Sequence, residues 1–592
     1  MRKRVADYIA DFLVNNGIDT IFTVVGGGAM HLNDAFGQKE GLNVYHNHHE
    51  QACAMAAEGY ARQSGKIAAV CVTTGPGGTN AMTGVLGAYQ DNVPMLIISG
   101  QVRYSVTVES TGLNLRQYGP QEYCIIDSVE PMTKYAYMIR RSDEIRYQLE
   151  KALYIAKTGN KGPVWLDVPL NIQGDVIETD GLAGYSVINK KINYVNICNN
   201  IIEKLRNAER PLILAGAGIR RLGVHEEFVE LANKMSIPVL APTCVSDVLP
   251  LTHKYYYQNF GAIGGRVGNF LVQNADVIFI VGTNLNLNDT SFNYESFSPK
   301  SYKIMVAAEC DELRKPNVVV DYPIWADVGD IIKTLNSMEC NIEEKNNWIR
   351  YANALKERFD LFDDVVERNN VNPYIFAKIL MNQLPDDSTV VTGNSAGACM
   401  ALHYGVPKEK QRLYSNIGCG SMGWDLPASL GAAIADKEKN VICLTGDGSI
   451  QMNLQELQTM VRYKIPLKII IYSNGGYMGV VRTQKNFFNG RITGCTAESG
   501  LDFPKFERIA EAYGIPYRRI EKNSEIESKL KEFLDIDGYG ICELIEDTEQ
   551  GPAVKLTSRK LENGEIVSAP FDDLYPLLEK AEYEIYSNYN NF

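Results

Sequence analysis

Short apolar runs alternate along the whole chain with stretches in which apolar positions recur every three or four residues. The first pattern predicts strands buried on both faces and the second amphipathic helices. Val5, Ile9, Phe12 and Leu13 share one helical face, so the chain is expected to open on a helix. Met1-Arg2-Lys3-Arg4 imitates the start of an export signal, but Asp7, Asp11 and Asn15 interrupt the apolar stretch such a signal needs. Ile67–Thr73, Met95–Ser99 and Pro163–Pro169 read as strands, with a helix over Thr79–Tyr89. A second unit opens at Pro211–Gly216 and continues through Val277–Gly282 and Ile304–Ala308; a charged, Asn-rich helical linker covers 340–371. A third unit holds Thr389–Thr392, Val441–Thr445 and Leu467–Tyr472. The end carries little strand pattern and a helix-like Asp572–Tyr586. Strands alternating with helices imply parallel sheets. The expected fold is α/β, with three doubly wound parallel-sheet domains at 1–175, 195–340 and 371–545 and a C-terminal tail at 546–592.

Composition narrows the partners. The 592 residues are 45% hydrophobic and 22% charged, with net charge −13. An acidic chain has no basic field to attract nucleic acid or an anionic membrane. No apolar run approaches the roughly 18 residues that span a bilayer. Twelve cysteines are scattered without a Cys-x-x-Cys pair, the usage of reduced thiols, so the cytoplasm is the expected location.

The richest chemistry lies at Gly446-Asp447-Gly448-Ser449, with the residues 449–473 between Gly448 and Asn474. The glycines follow an apolar strand and precede a helix expected near Met452. A helix start suits an anion, and glycine lets backbone approach it closely. Asp447 would repel phosphate unless a cation lay between them, and magnesium fills that place with few protein oxygens. Asn474 ends the next strand, and parallel neighbours finish on one edge, so its amide oxygen is expected at the same ion.

This pattern resembles the signature of thiamine-diphosphate enzymes. The likeness extends to His49-Glu50-Gln51, Ala57-Glu58-Gly59-Tyr60-Ala61-Arg62, Thr74-Gly75-Pro76-Gly77-Gly78-Thr79-Asn80, Asp91-Asn92-Val93-Pro94 and Gly418-Cys419-Gly420-Ser421-Met422-Gly423-Trp424. It covers about residues 1–545 and is nearest to the acetolactate-synthase large subunits. The resemblance names the first, second and third domains pyrimidine-binding, central and diphosphate-binding. It implies Asp447, Asn474 and the Gly476 carbonyl as magnesium ligands, with Gly448, Ser449, Asn394 and Ser395 at the diphosphate. Glu50 becomes the catalytic carboxylate at the pyrimidine ring, Met422 the wedge that bends the cofactor, and the Gly420 carbonyl an acceptor for its amino group. In such enzymes the first domain of one copy faces the third of another, so a homodimer or homotetramer is expected.

The implied reaction is decarboxylation of a 2-oxo acid, pyruvate foremost, with ligation of the remainder to a carbonyl acceptor. Two departures bear on the acceptor. Pro120 precedes Gln121-Glu122 where the synthases have Phe, and Gln484 stands where they have Trp. An amide in place of an aromatic wall favours a roomier, more polar site, and a buried amide seeks hydrogen-bond partners. Gln121 and Gln484 are therefore the expected substrate residues. The stretches Leu113–Glu122 and Leu556–Pro570 resemble members associated with surface-polysaccharide clusters, which suggests a keto-sugar acceptor. Acetolactate synthesis and simple decarboxylation are the alternatives. In the central domain, Gly216-Ala217-Gly218 with Arg220-Arg221, and Glu309 with Asp311, suggest FAD. Two other classes remain open: a catalytically silent nucleotide-binding protein and an NAD-dependent oxidoreductase.

Overall fold

Runs rich in Val and Ile build three separate six-stranded sheets in the computed structural model, which describes residues 1–187, 192–560, 563 and 566–592. Every pairing inside these sheets is parallel. Strands covered by helices on both faces need no polar alternation, hence the continuous apolar runs. In the first sheet the neighbours are Asn43–His46, Thr20–Thr23, Ala69–Val72, Leu96–Gln101, Val164–Pro169 and Tyr135–Met138. Counted along the chain this order is 2-1-3-4-6-5, and the third sheet repeats it. The central sheet runs 3-2-1-4-5-6, the order of dinucleotide-binding folds.

Such sheets open a crevice beyond the strand ends where the order reverses. In the third sheet that point lies between Thr389–Thr392 and Val441–Gly446. Gly393–Ser395 and Asp447–Ser449 therefore rim one crevice. In the central sheet the two loops at the same point touch through their backbones, and a cavity of about 260 Å³ lined by Ala217, Arg220, Arg221, Gly282 and Thr283 opens beside them. The N–H groups of Gly216 and Gly218 donate to the carbonyls of Val281 and Gly282 at 2.9 and 2.8 Å.

The first and third domains meet through two helices, Glu50–Ser64 and Asp425–Ala435. Their small residues let the backbones touch. A Cβ at Gly59 would lie 1.9 Å from the Ala428 carbonyl oxygen, and one at Gly431 1.9 Å from that of Ala56. Beside this contact the buried Glu58 accepts from Arg62 at 2.7 Å and from the Trp424 indole at 2.8 Å, while Arg62 also bonds Asp91.

Three expectations need correction. No α-helix begins near Met452: a 3-10 turn covers Ile450–Asn453, and the α-helix starts at Glu456. The terminal helix is shorter than expected, Lys580–Tyr586, because Pro576 sits inside the proposed span and removes an amide donor. The linker is also no mere spacer. Its helix Asn346–Arg358 sinks Trp348, Tyr351 and Leu355 into the central domain's core, where Phe571, Tyr586, Tyr589 and Phe592 of the tail close over them. All twelve cysteines are unpaired, and among the described residues no helix is long and apolar enough to cross a membrane.

Candidate active site

Parallel register explains how residues distant in sequence meet. Gly446 pairs with Tyr472, so Asp447 and Asn474 leave the same edge of adjacent strands. The Asp447 carboxylate is buried and accepts from the N–H groups of Asn474 at 2.8 Å and Gly475 at 2.7 Å. Burial pushes its carboxyl up to about 6, against the pull of those backbone donors. Behind it, the Asn474 amide donates to Glu546 at 2.8 Å, leaving the amide oxygen on the side of the Gly476 N–H, 3.2 Å away. Glu546 itself is 2% exposed, and its second oxygen is buried without a partner.

This donor set suits a hard divalent cation. One carboxylate, one amide oxygen and a nearby carbonyl offer oxygen only, and a buried carboxylate with no cation in contact is costly unless one is supplied. Three protein oxygens leave the rest of a magnesium shell to phosphate and water.

Around these groups lies a cavity of about 940 Å³, lined by Asn394, Ser395, Met422, Asp447, Gly448, Ser449, Asn474 and Gly476 among others. A Cβ at Gly448 would fall 2.3 Å from the Tyr477 ring, so only glycine passes there. The Ser449 hydroxyl accepts from the Gly423 N–H at 2.8 Å and donates to Asp425 at 2.7 Å, which fixes the cradle. Gly420 is one bond away from the cavity wall: its carbonyl accepts from the Asn394 side chain at 2.7 Å.

Glu50 lies elsewhere. It begins the helix Glu50–Ser64, 9% exposed, and accepts from the Asn80 amide at 3.0 Å. His49 caps that helix, and Glu456 takes the backbone N–H groups of His48 and His49 at 3.0 and 3.1 Å. No first-domain residue lines the cavity at Asp447 within one chain. Gln121 is exposed on the first domain, at φ +62°, with its carbonyl against Gly75. Gln484 does not line the cavity either; its amide exchanges hydrogen bonds with the Thr493 backbone at 2.8 and 3.2 Å.

Several residues at the site have no role that the sequence pattern assigns. Asn80 is visible there only inside a Gly-rich run. Glu546 lies beyond the end of a strand that neither glycine nor spacing marks, and Lys555 and Thr557 reach the cavity from the tail. An acid following an apolar strand, as Glu546 follows Gly540–Ile545, is the one available signal.

Profiles of the thiamine pyrophosphate enzymes match all three units: the N-terminal TPP binding domain over residues 3–128, the central domain over 198–335 and the C-terminal TPP binding domain over 392–544. The "Probable acetolactate synthase large subunit" of Methanocaldococcus jannaschii is 31% identical over 568 residues, 93% of this chain and 93% of that protein. The "Acetolactate synthase isozyme 3 large subunit" of Escherichia coli K12 is 29% identical over 543 residues, 90% and 92% of the two. That of Arthrospira platensis, "Acetolactate synthase", is 29% identical over 569 residues, 92% and 94%. The chain belongs to the thiamine pyrophosphate enzyme family, as an acetolactate-synthase-like carboligase that uses thiamine diphosphate.

Proposed function

We propose that this enzyme removes carbon dioxide from a 2-oxo acid, pyruvate foremost, and joins the two-carbon remainder to the carbonyl of a hydroxylated acceptor such as a keto-sugar. The observation that carries the reading is the convergence of Asp447, Asn474, Met422 and Asn394 on one large cavity at the switch point of the third sheet. When bound, thiamine diphosphate supplies a nucleophilic ring carbon and holds the electron pair released with carbon dioxide. Asp447, Asn474 and the Gly476 carbonyl would hold magnesium, and Glu546 keeps the Asn474 oxygen turned toward it. Gly448, Ser449, Asn394 and Ser395 would hold the diphosphate, Met422 would bend the cofactor, and the Gly420 carbonyl would accept from its amino group once Asn394 turns to the diphosphate. Glu50, fixed by Asn80 in a poorly solvated setting, would share a proton with the cofactor's pyrimidine nitrogen.

Because Glu50 does not reach the cavity of its own chain, a second copy would supply it, and a dimer or tetramer follows. This division of labour supports domains bounded near 1–175, 195–340 and 371–545, with 546–592 as a tail. Twelve unpaired cysteines support a reducing compartment such as the cytoplasm. FAD has less support, since the turn that would cradle it already gives its Gly216 and Gly218 amides to Val281 and Gly282. Gln484 would act on the acceptor indirectly, by holding the Thr493 loop, while Gln121 would approach from the other copy.

Acetolactate synthesis is the second reading, favoured by the relatives' names. One experiment separates them: purified protein with thiamine diphosphate and magnesium is given pyruvate alone or with a panel of hydroxy-aldehydes and keto-sugars. Faster consumption of pyruvate with a sugar product supports the proposal. Acetolactate as sole product supports the second reading, and no carbon dioxide from any 2-oxo acid contradicts both.

A further inference from the structure

The tail forms part of the cavity wall. After Glu546 the chain is pinned at successive points. Arg482 donates to the carbonyls of Thr548 and Gln550 at 2.9 and 2.7 Å, and the Ala553 N–H donates to the Tyr374 hydroxyl at 2.8 Å. Lys555 and Tyr575 exchange backbone hydrogen bonds at 3.0 and 2.8 Å, and the Leu556 N–H donates to the Ala262 carbonyl at 2.8 Å. Held in this way, Pro552, Lys555, Leu556, Thr557 and Ser558 line the same cavity as Asp447.

Lys555 is the unusual member. Its ammonium has no carboxylate or hydrogen-bond acceptor among the described residues. Burial and the charge of Arg482 both press it toward losing its proton. A cation ordered at a cavity wall without a counter-ion is poised for an anion. Three anions enter such a site. The cofactor's diphosphate already has the cradle at Gly448 and Ser449. The carboxylate of the 2-oxo acid loses its charge as carbon dioxide leaves, so a cation fixed on it would stabilise the ground state more than the transition state and slow the reaction. An anionic group on the acceptor keeps its charge throughout, and binding it does not penalise the chemistry.

Resting on the reaction proposed above, we infer that Lys555 binds a phosphate ester carried by the carbonyl acceptor. The enzyme would then select phosphorylated hydroxy-carbonyl acceptors over neutral ones.

The test compares D-glyceraldehyde 3-phosphate with D-glyceraldehyde as acceptors for pyruvate, in the wild type, Lys555→Met and Lys555→Arg. Loss of one charge-assisted contact predicts that the KM preference for the phosphorylated acceptor falls roughly ten- to hundredfold in Lys555→Met. Lys555→Arg should keep most of it. Calorimetric titration with glycerol 3-phosphate, which has no carbonyl, reads the anion site directly and should show binding lost in Lys555→Met. The inference is overturned if the wild type shows no preference, or if Lys555→Met leaves it intact. It is equally overturned if the variant's main effect falls on the KM for pyruvate or on thiamine diphosphate affinity. Should no 2-oxo acid be decarboxylated, the reaction reading fails while the glycerol 3-phosphate titration still decides the anion site.

Discussion

The amide of Asn474 has two chemically different ends, and the bond from its nitrogen to Glu546 leaves its oxygen for the magnesium that we propose. Partners placed behind a metal ligand commonly govern affinity as strongly as the ligand's own geometry. Glu546→Ala should therefore raise the magnesium concentration for half-maximal cofactor binding by roughly 10- to 100-fold, measured by fluorescence titration at fixed thiamine diphosphate. An unchanged midpoint would remove Glu546 from that role. Glu50→Gln tests a different step. It keeps the side chain's shape and the bond from Asn80, yet cannot share a proton. Product formation should fall by about 10²- to 10⁴-fold with cofactor binding retained. His403 offers a check on stability instead. It is buried, and burial lowers its pKa from 6.5 to about 4. The unfolded chain takes a proton near the upper value that the folded chain refuses, so its stabilising contribution is complete above that range and is lost as pH falls through it. The difference in melting temperature between wild type and His403→Gln should narrow over that interval; a constant difference would contradict the assignment.

At the scale of elements, the helix pair Glu50–Ser64 and Asp425–Ala435 fixes the first domain on the third. The small residues of these two helices allow close backbone approach, with Gly59 against Ala428 and Gly431 against Ala56. Gly59→Val would drive a side chain into the Ala428 carbonyl and should cost about 3 kcal/mol, the upper end for overpacking. Thermal unfolding would show it, and a wild-type melting temperature would refute the packing argument. The same scale shows why some chemistry is legible in sequence and some is not. Asp447 and Asn474 are readable because a fixed stretch between two parallel strands returns the chain to one edge. Met452 misleads because Gly-Asp-Gly specifies a turn but not the element after it. Gly216 and Gly218 signal a close approach of some group to the backbone without naming it, and one such group is the Gly282 carbonyl. Lys555 is invisible in its role because the tail's return to the cavity is set by Arg482, Tyr374 and Ala262, contacts with no local sequence period, whereas Glu546 is placed by the register that pairs Ile545 with Ser473.

For the whole molecule, two sheets of identical order flank a dinucleotide-type sheet, and charge as well as packing joins them. Arg62 links Glu58 and Asp91 of the first domain beneath Trp424 of the third. Arg62→Met would strand the buried Glu58 carboxylate and should lower stability by about 3–5 kcal/mol. The central claim is that a complete site takes Glu50 from one copy and Asp447 with Asn474 from another. Co-expression of Glu50→Gln with Asp447→Asn, each inactive alone, tests it most directly. Random pairing leaves one intact site in each mixed dimer, so activity should return to about a quarter of the wild type. No recovery from verified mixed dimers would mean that each chain completes its own site, which contradicts a site shared between copies.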